Sequence, residues 1–412
     1  MRIFLKPLLL ISTLVAAQLS QVVAAQASPS APMPEKDWTF LVYINGNNNL
    51  DEYGTLNINQ MEKVGSTEKV NVLVQWASLA RKSVQRLYIK KDNDETKVTS
   101  PVVQTLGNID MGDYRSVIEF VRWGAQNYPA KHYFVDIWNH GSGWRQKLVV
   151  SGQFKIEGIS YDDLSGNHIT TEQLGTAISE SAKILGQKID IYASDACMMG
   201  MAEVVTEMAA SVNVYGGSQE TEPADGWPYD VLLTKWNALP SATAQDLGTI
   251  LTNAYVDAYA SGALEGTNAT FSAYDMTKLD AFNASIKALG VELSGLDTAG
   301  RAKILAAAQA NLTFTYDDYG DFGNFLSLVD QSRGSDLRIS DKAIADVRAS
   351  LKDFVIANRD TSNYTKATGI SVWLPTSKST YETYASQYQD LKFNAGTGWS
   401  DTLKYLVQDS SR

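Results

Sequence analysis

Short apolar, β-branched runs recur along the first 240 residues, and stretches with helical spacing of apolar positions lie between them. Thr39–Ile44, Val70–Gln75, Val84–Lys90, His132–Trp138, Ile189–Ala193 and Val212–Gly216 read as strands. Asn49–Val64, Tyr114–Asn127, Thr170–Leu185 and Met199–Ala210 read as helices. Strand followed by helix, repeated, predicts an α/β fold with a mainly parallel sheet flanked by helices. From about Pro240 the pattern changes to long alanine- and leucine-rich helices, Ala242–Ser261 and Thr298–Leu312, with strand-like Thr270–Tyr274 and Gly369–Leu374 among them. A mostly helical C-terminal region, 240–412, packed on a catalytic core, 37–239, is the expected organisation.

The first residues change the picture, because they bear on the compartment. Arg2 and Lys6 precede an apolar stretch from Leu8 to Leu19, and Val23-Ala24-Ala25 or Ala25-Gln26-Ala27 supplies a small-residue cleavage site. Residues 1–27 therefore read as a signal peptide, and the proline-rich 28–36 as a flexible leader. A secreted or periplasmic protein, with no membrane association after cleavage, is expected. The formal net charge of -11 argues against nucleic acid as a partner and is compatible with cationic substrates.

In that compartment the single cysteine cannot be an internal staple. Cys197 lies in Ser194-Asp195-Ala196-Cys197-Met198-Met199-Gly200, where the Ile189–Ala193 strand ends. The His132–Trp138 strand ends in Asn139-His140-Gly141-Ser142-Gly143-Trp144. In an open α/β sheet ligands collect beyond the carboxyl ends of the strands, which is where both His140 and Cys197 fall. A thiol attacks a carbonyl only as thiolate, so it needs a base or a positive charge beside it, and His140 is the candidate. The N–H groups of Gly141 and Cys197 are candidate oxyanion donors. A helix starting just after Cys197 would add its N-terminal dipole in favour of the thiolate. Trp138, Trp144 and Trp227 are candidates to wall the cleft.

These two motifs together resemble the clostripain family of cysteine peptidases, which shares a fold with caspases, gingipains, legumain and separase. His precedes Cys by a caspase-like interval of roughly 50 residues. Phe40-Leu41-Val42-Tyr43-Ile44-Asn45-Gly46-Asn47-Asn48-Asn49-Leu50, Gly158-Ile159-Ser160-Tyr161-Asp162-Asp163 and Gly217-Ser218-Gln219-Glu220-Thr221-Glu222-Pro223 extend the match over about Trp38 to Tyr229. The resemblance implies a Cys197–His140 dyad and cleavage after Arg or Lys, with Asp195 and Asp225 lining the pocket and Ser218 among the substrate-binding residues. Such a pocket needs carboxylates, because a guanidinium buried unpaired is costly. No third catalytic residue is named.

The family also matures by cleavage between its histidine and cysteine, which makes Arg145 and Lys147 candidate processing sites, with Lys155 further along. Some relatives depend on calcium. Asp162-Asp163 and Asp317-Asp318-Tyr319-Gly320-Asp321 could hold it, although the EF-hand spacing is absent. The chemistry itself requires no cofactor, and one cysteine without paired histidines makes a zinc site improbable. Polypeptides with basic residues are the expected partners. Two other readings stay open: a cysteine transpeptidase or amidase acting on other amides, and a binding protein that keeps the fold without turnover.

Overall fold

The computed structural model describes residues 33–408 apart from 146, 151, 152, 157, 240, 263, 265, 267 and 334–337, with 147–150 and 153–156 described by backbone alone. The signal peptide and residues 28–32 of the leader lie outside the described residues. The leader's end is already structured: Met33 N–H donates to Asn127 O at 2.9 Å, and Lys36 opens the first strand.

Nine strands form the central sheet: β1 (Lys36–Gly46), β2 (Val70–Ser78), β3 (Ser83–Tyr88), β4 (Val102–Gly107), β5 (Ala130–Trp138), β6 (Ile189–Asp195), β7 (Val212–Gly217), β8 (Thr270–Asp275) and β9 (Val355–Asp360). Their order is β9-β8-β7-β6-β5-β1-β2-β3-β4. The five central strands, β2 through β7 in that order, run parallel, while β3–β4 on one side and β8–β9 on the other are antiparallel additions. The mainly parallel sheet is thus present at the centre, where the site lies. Past residue 239 the chain is not helical alone, since β8 and β9 extend the same sheet.

Alternate side chains of each central strand serve two cores, which is why these strands read as continuous apolar runs. Leu41 and Tyr43 of β1 with Val135 and Ile137 of β5 face Phe120 and Val121 of α2 (Tyr114–Asn127) and Leu174 and Ile178 of α3 (Thr171–Leu185). Phe40, Val42 and Ile44 with Phe134 and Trp138 face Ile58 and Met61 of a helix at Asp51–Glu62, and Leu232 and Trp236 of another at Tyr229–Asn237. Local signals set the helix ends. Thr170 and Gln173 form a capping box at the start of α3, and Gly186 at φ 69° ends it in the left-handed conformation glycine tolerates.

The helix expected over Met199–Ala210 is shorter, at Ala202–Glu207. Tertiary bonding removes its first turn: Met198 N–H donates to Glu220 O at 3.0 Å, Gly200 N–H to Ser218 O at 2.7 Å, and Gly200 O accepts from Ser371 N–H at 3.0 Å. The strand expected over Gly369–Leu374 is only Ser371–Trp373, paired with Tyr319–Asp321 in a separate two-stranded sheet.

Glu203 ties this short helix to the C-terminal region. Its Oε1 accepts from Trp373 N–H at 2.9 Å and from Tyr388 O–H at 2.6 Å, while Oε2 is buried without a partner. Burial pushes the carboxyl up to about 7. The folded chain therefore holds a proton that the unfolded chain releases near the ordinary Glu value, so stability is fullest below that value and falls as pH rises toward 7. Glu203→Gln is expected to flatten the fall in thermal midpoint between pH 5 and 7.5, relieving on the order of 1–3 kcal/mol at the upper end. An unchanged slope in the variant would refute this.

Candidate active site

β5 and β6 are neighbours in register, with Trp138 opposite Asp195, so the loops that leave their carboxyl ends start side by side. The β5 loop carries His140 and Gly141, and the β6 loop carries Cys197. Both His140 and Cys197 line one cavity of about 110 Å³, with Leu50, Trp138, Asn139, Asp195, Ala196, Glu222, Pro223, Ala224 and Gly226.

Gly141 is where the two loops touch. A Cβ built on it would stand 2.4 Å from Cys197 O and 3.1 Å from Cys197 N. Gly141→Ala must therefore push the histidine and cysteine loops apart. An error of about 1 Å in such a site can cost a hundredfold, so a fall of about 10²-fold in kcat/KM is expected. Activity within a few-fold of wild type would show that the contact is dispensable.

The thiol is enclosed by main chain. Glu222 N–H donates to Cys197 Sγ at 3.3 Å, and Sγ reaches Glu222 O at 3.8 Å. Burial pushes the Cys197 thiol up, Glu222 and Gly141 N–H groups oppose this, and the charges of Glu220 and Asp195 add to it. His140 shifts the other way: burial lowers it against a small opposing effect of Asp163. Both shifts favour a neutral thiol and a neutral imidazole over the ion pair. His140 Nε2 lies 2.7 Å from Asn49 Oδ1, and the ring meets Tyr161 edge-on at 6.0 Å. The short helix begins five residues after Cys197, so its dipole does not act at the sulfur.

Below the thiol lies a buried acidic cluster. Asp195 Oδ2 accepts from Trp227 N–H at 3.1 Å and Tyr229 O–H at 2.9 Å, and the same hydroxyl is 2.7 Å from Asp136 Oδ2. Both carboxylate oxygens of Glu222 are buried without an N–H or hydroxyl donor among the described residues, and its carboxyl pairs with that of Asp195, protonated Glu222 donating to the Asp195 carboxylate. Burial pushes Asp195 up to about 6 and raises Asp136 and Glu222 well above the usual carboxylate range, with the charge of Asp195 raising both further. What lowers Asp136 and Asp195 is hydrogen bonding alone, with no cation beside them. Among the described residues no Lys, Arg or His forms an ion pair with Asp136, Asp195 or Glu222.

Other expected site residues fall elsewhere. Asp225 does not line the cavity. Its carbonyl accepts from Asn57 Nδ2 at 2.9 Å, and Asn57 Oδ1 in turn accepts from Trp138 Nε1 at 2.7 Å. Ser218 is fully buried, donating to Glu220 O at 2.9 Å, because its strand end turns that side chain toward Thr270 and away from the cleft. Trp138 lines the cleft, whereas Trp144 packs among Trp373, Tyr384 and Tyr388, and Trp227 packs on Tyr229 and Phe271.

Arg145 is no surface charge. Its guanidinium is buried, paired with Asp318, with Tyr384 at 4.2 Å and Tyr316 and Tyr319 each at 4.8 Å from their ring centres. Lys147 opens a hairpin of Lys147–Val150 with Gln153–Ile156. The side chains of Lys147 and Lys155 lie outside the described residues.

Three of the carboxylates suggested for calcium, Asp162, Asp318 and Asp321, are already engaged. Asp162 accepts from Asn47 Nδ2 and from the N–H groups of Met111, Leu164 and Ser165. Asp318 serves Arg145 and Trp373 Nε1, and Asp321 serves Gln219, Asn324 and Thr368. Among the described residues no three His, Cys, Asp or Glu side chains converge on a metal position.

Sequence reading missed Asn49 and Glu222. Asn49 stands in a run of three asparagines, and Glu222 is one of several acids in an aperiodic loop, so nothing local separates either from its neighbours.

A profile of the clostripain family matches residues 42–406. Clostripain of Hathewaya histolytica is 22% identical over 433 residues, spanning 89% of this chain and 80% of that protein. A secreted cysteine protease from Bacteroides thetaiotaomicron, solved with an irreversible peptide inhibitor, superposes with TM-score 0.67 at 20% identity, covering 88% of this chain and 99% of that one. An inactive zymogen protease from Parabacteroides distasonis gives TM-score 0.66 at 19% identity, covering 89% and 99%.

Proposed function

The chain belongs to the clostripain family and is a cysteine endopeptidase with a caspase-like α/β core, and from that premise we propose that it cleaves polypeptides after Arg or Lys through a Cys197–His140 dyad. The observation that carries the specificity is the buried floor of Asp195 and Glu222, whose charge no Lys, Arg or His among the described residues offsets by an ion pair. A substrate guanidinium or ammonium supplies the missing charge, and a neutral or acidic side chain leaves the acids without it.

The same cation assists the chemistry. Burial first, and the negative charge of Glu220 and Asp195 after it, raise the thiol, so a positive side chain arriving beside Asp195 offsets the charge contribution and shifts the balance toward thiolate with His140 protonated. The thiolate adds to the scissile carbonyl, the Gly141 and Cys197 N–H groups take the oxyanion, and His140 gives its proton to the leaving amine. Water then hydrolyses the thioester.

Self-processing between His140 and Cys197 is proposed after Lys147, since Arg145 would first have to leave its tyrosine cage. Export before activity follows from the N-terminal pattern. No helix among the described residues is long and apolar enough to cross a membrane. The part after residue 239 braces the cleft: Glu220 accepts from Thr315 and Tyr364, fixing the loop that carries Glu222.

Matched fluorogenic peptides ending in Arg, Lys, Asp or Leu test this reading. Turnover confined to Arg and Lys is expected. Equal or preferred cleavage after Leu or Asp would overturn the specificity.

A further inference from the structure

We propose that Asn49 is the positioning residue for His140: its amide oxygen accepts the Nε2 proton and leaves Nδ1 as the nitrogen that exchanges a proton with Cys197. The inference rests on the Cys197–His140 reading. The contact is 2.7 Å from Asn49 Oδ1 to His140 Nε2, the only hydrogen bond to that ring among the described residues.

The turn that presents Asn49 is rigidly built. Asn47 Nδ2 donates to Asp162 at 2.9 Å and Asn47 O accepts from Asp163 N–H at 2.8 Å. Asn48 Nδ2 donates to Tyr161 O at 2.8 Å, and its Oδ1 accepts from Leu50 N–H at 2.9 Å. Both asparagines are buried, while Asn49 between them and the helix at Asp51–Glu62 is exposed and free to spend its side chain on the histidine. Tyr161, held at its own carbonyl by Asn45, Asn48 and Asn139, packs against the imidazole from another side.

A neutral imidazole carries one N–H, and its place decides which nitrogen is basic. An acceptor on Nε2 fixes the proton there and stabilises the imidazolium once Nδ1 has taken the thiol proton. The titratable groups that face His140 are Asp163 from the loop after Tyr161, Tyr161 itself, and Cys197, Asp195 and Glu222 across the cleft. The bond described at Nε2 is the one to Asn49.

Asn49→Ala and Asn49→Asp separate a positioning role from a structural one. Loss of a group that orients a functional imidazole typically costs about 10- to 100-fold, so kcat for Asn49→Ala should fall by that factor with KM little changed. Its thermal midpoint should stay at wild type, because the side chain is exposed. The acid limb of kcat/KM should move to lower pH in Asn49→Ala, where the imidazolium loses its acceptor, and to higher pH in Asn49→Asp, where it gains a carboxylate. Asn49→Asp should also recover much of the lost kcat. Wild-type kcat and an unmoved acid limb in Asn49→Ala would overturn the proposal, as would an Asp variant as impaired as Ala. His140→Ala runs beside them: if that variant keeps activity, the dyad reading itself has failed, and if it is dead while Asn49→Ala is normal, only the present inference has failed.

Discussion

Cys197→Ala is expected to abolish turnover of a Lys- or Arg-terminated peptide, a loss of at least about 10⁴-fold, since the remaining oxyanion donors and binding contacts account for only the residual rate of a nucleophile-less enzyme. His140→Ala should come close to the same floor. The double variant should be no worse than Cys197→Ala, because the two groups act as a unit and their losses do not add. Steady-state kinetics on the three proteins checks this. Additive losses would mean that His140 acts on something other than Cys197. All three should fold, since Cys197 and His140 are each only partly buried and Cys197 meets the core only at its margin, where alanine removes a single sulfur atom.

The second large effect concerns the acidic floor. Glu222→Gln is expected to lower kcat/KM for Arg and Lys substrates by about 10²- to 10³-fold, the cost of leaving a buried cation without its partner. It should leave a Leu substrate unchanged or slightly better. This variant is conservative because a glutamine amide keeps a donor toward the Asp195 carboxylate, the group the Glu222 carboxyl pairs with, and removes only the charge. Asp195→Asn should act in the same direction, with some loss of stability besides, since Asp195 also anchors Trp227 N–H and Tyr229 O–H. An equal fall for Arg and Leu substrates would assign Glu222 to the loop's shape instead of to charge recognition.

The central strands were legible because the sheet buries them on both faces, so that Thr39–Ile44 and His132–Trp138 could be found from apolar runs alone. Their carboxyl ends then located Cys197 and His140, because sheet topology converts a strand end into a place in the site. The helix after Cys197 was over-read. Its apolar pattern extends to Met199, yet Met198 and Gly200 spend their N–H groups on Glu220 and Ser218, a long-range choice that periodicity does not carry. The burial of Arg145 escapes the sequence for a similar reason. Asp318 and the three tyrosines that bury it are supplied by sequence about 170 residues or more away, so its burial has no local signature. Ser218 was placed by its neighbourhood in the motif, and a strand end puts successive side chains on opposite faces. The acidic lining was half legible: Asp195, two residues before the cysteine, does line the cavity, whereas the other acid on its wall is Glu222, with Asp225 outside it, a difference made only by how the loop folds over the thiol.

The most direct test is a peptide map of the mature protein after brief treatment with an irreversible thiol-directed peptide probe carrying Arg at its reactive end, beside a Leu-ended twin. One adduct per chain, on the peptide containing Cys197, formed much faster with the Arg probe and suppressed in both Glu222→Gln and His140→Ala, is the predicted result. Labelling of Cys197 at equal rates by both probes, or no labelling of Cys197 at all, would contradict a cysteine peptidase built to recognise a basic side chain.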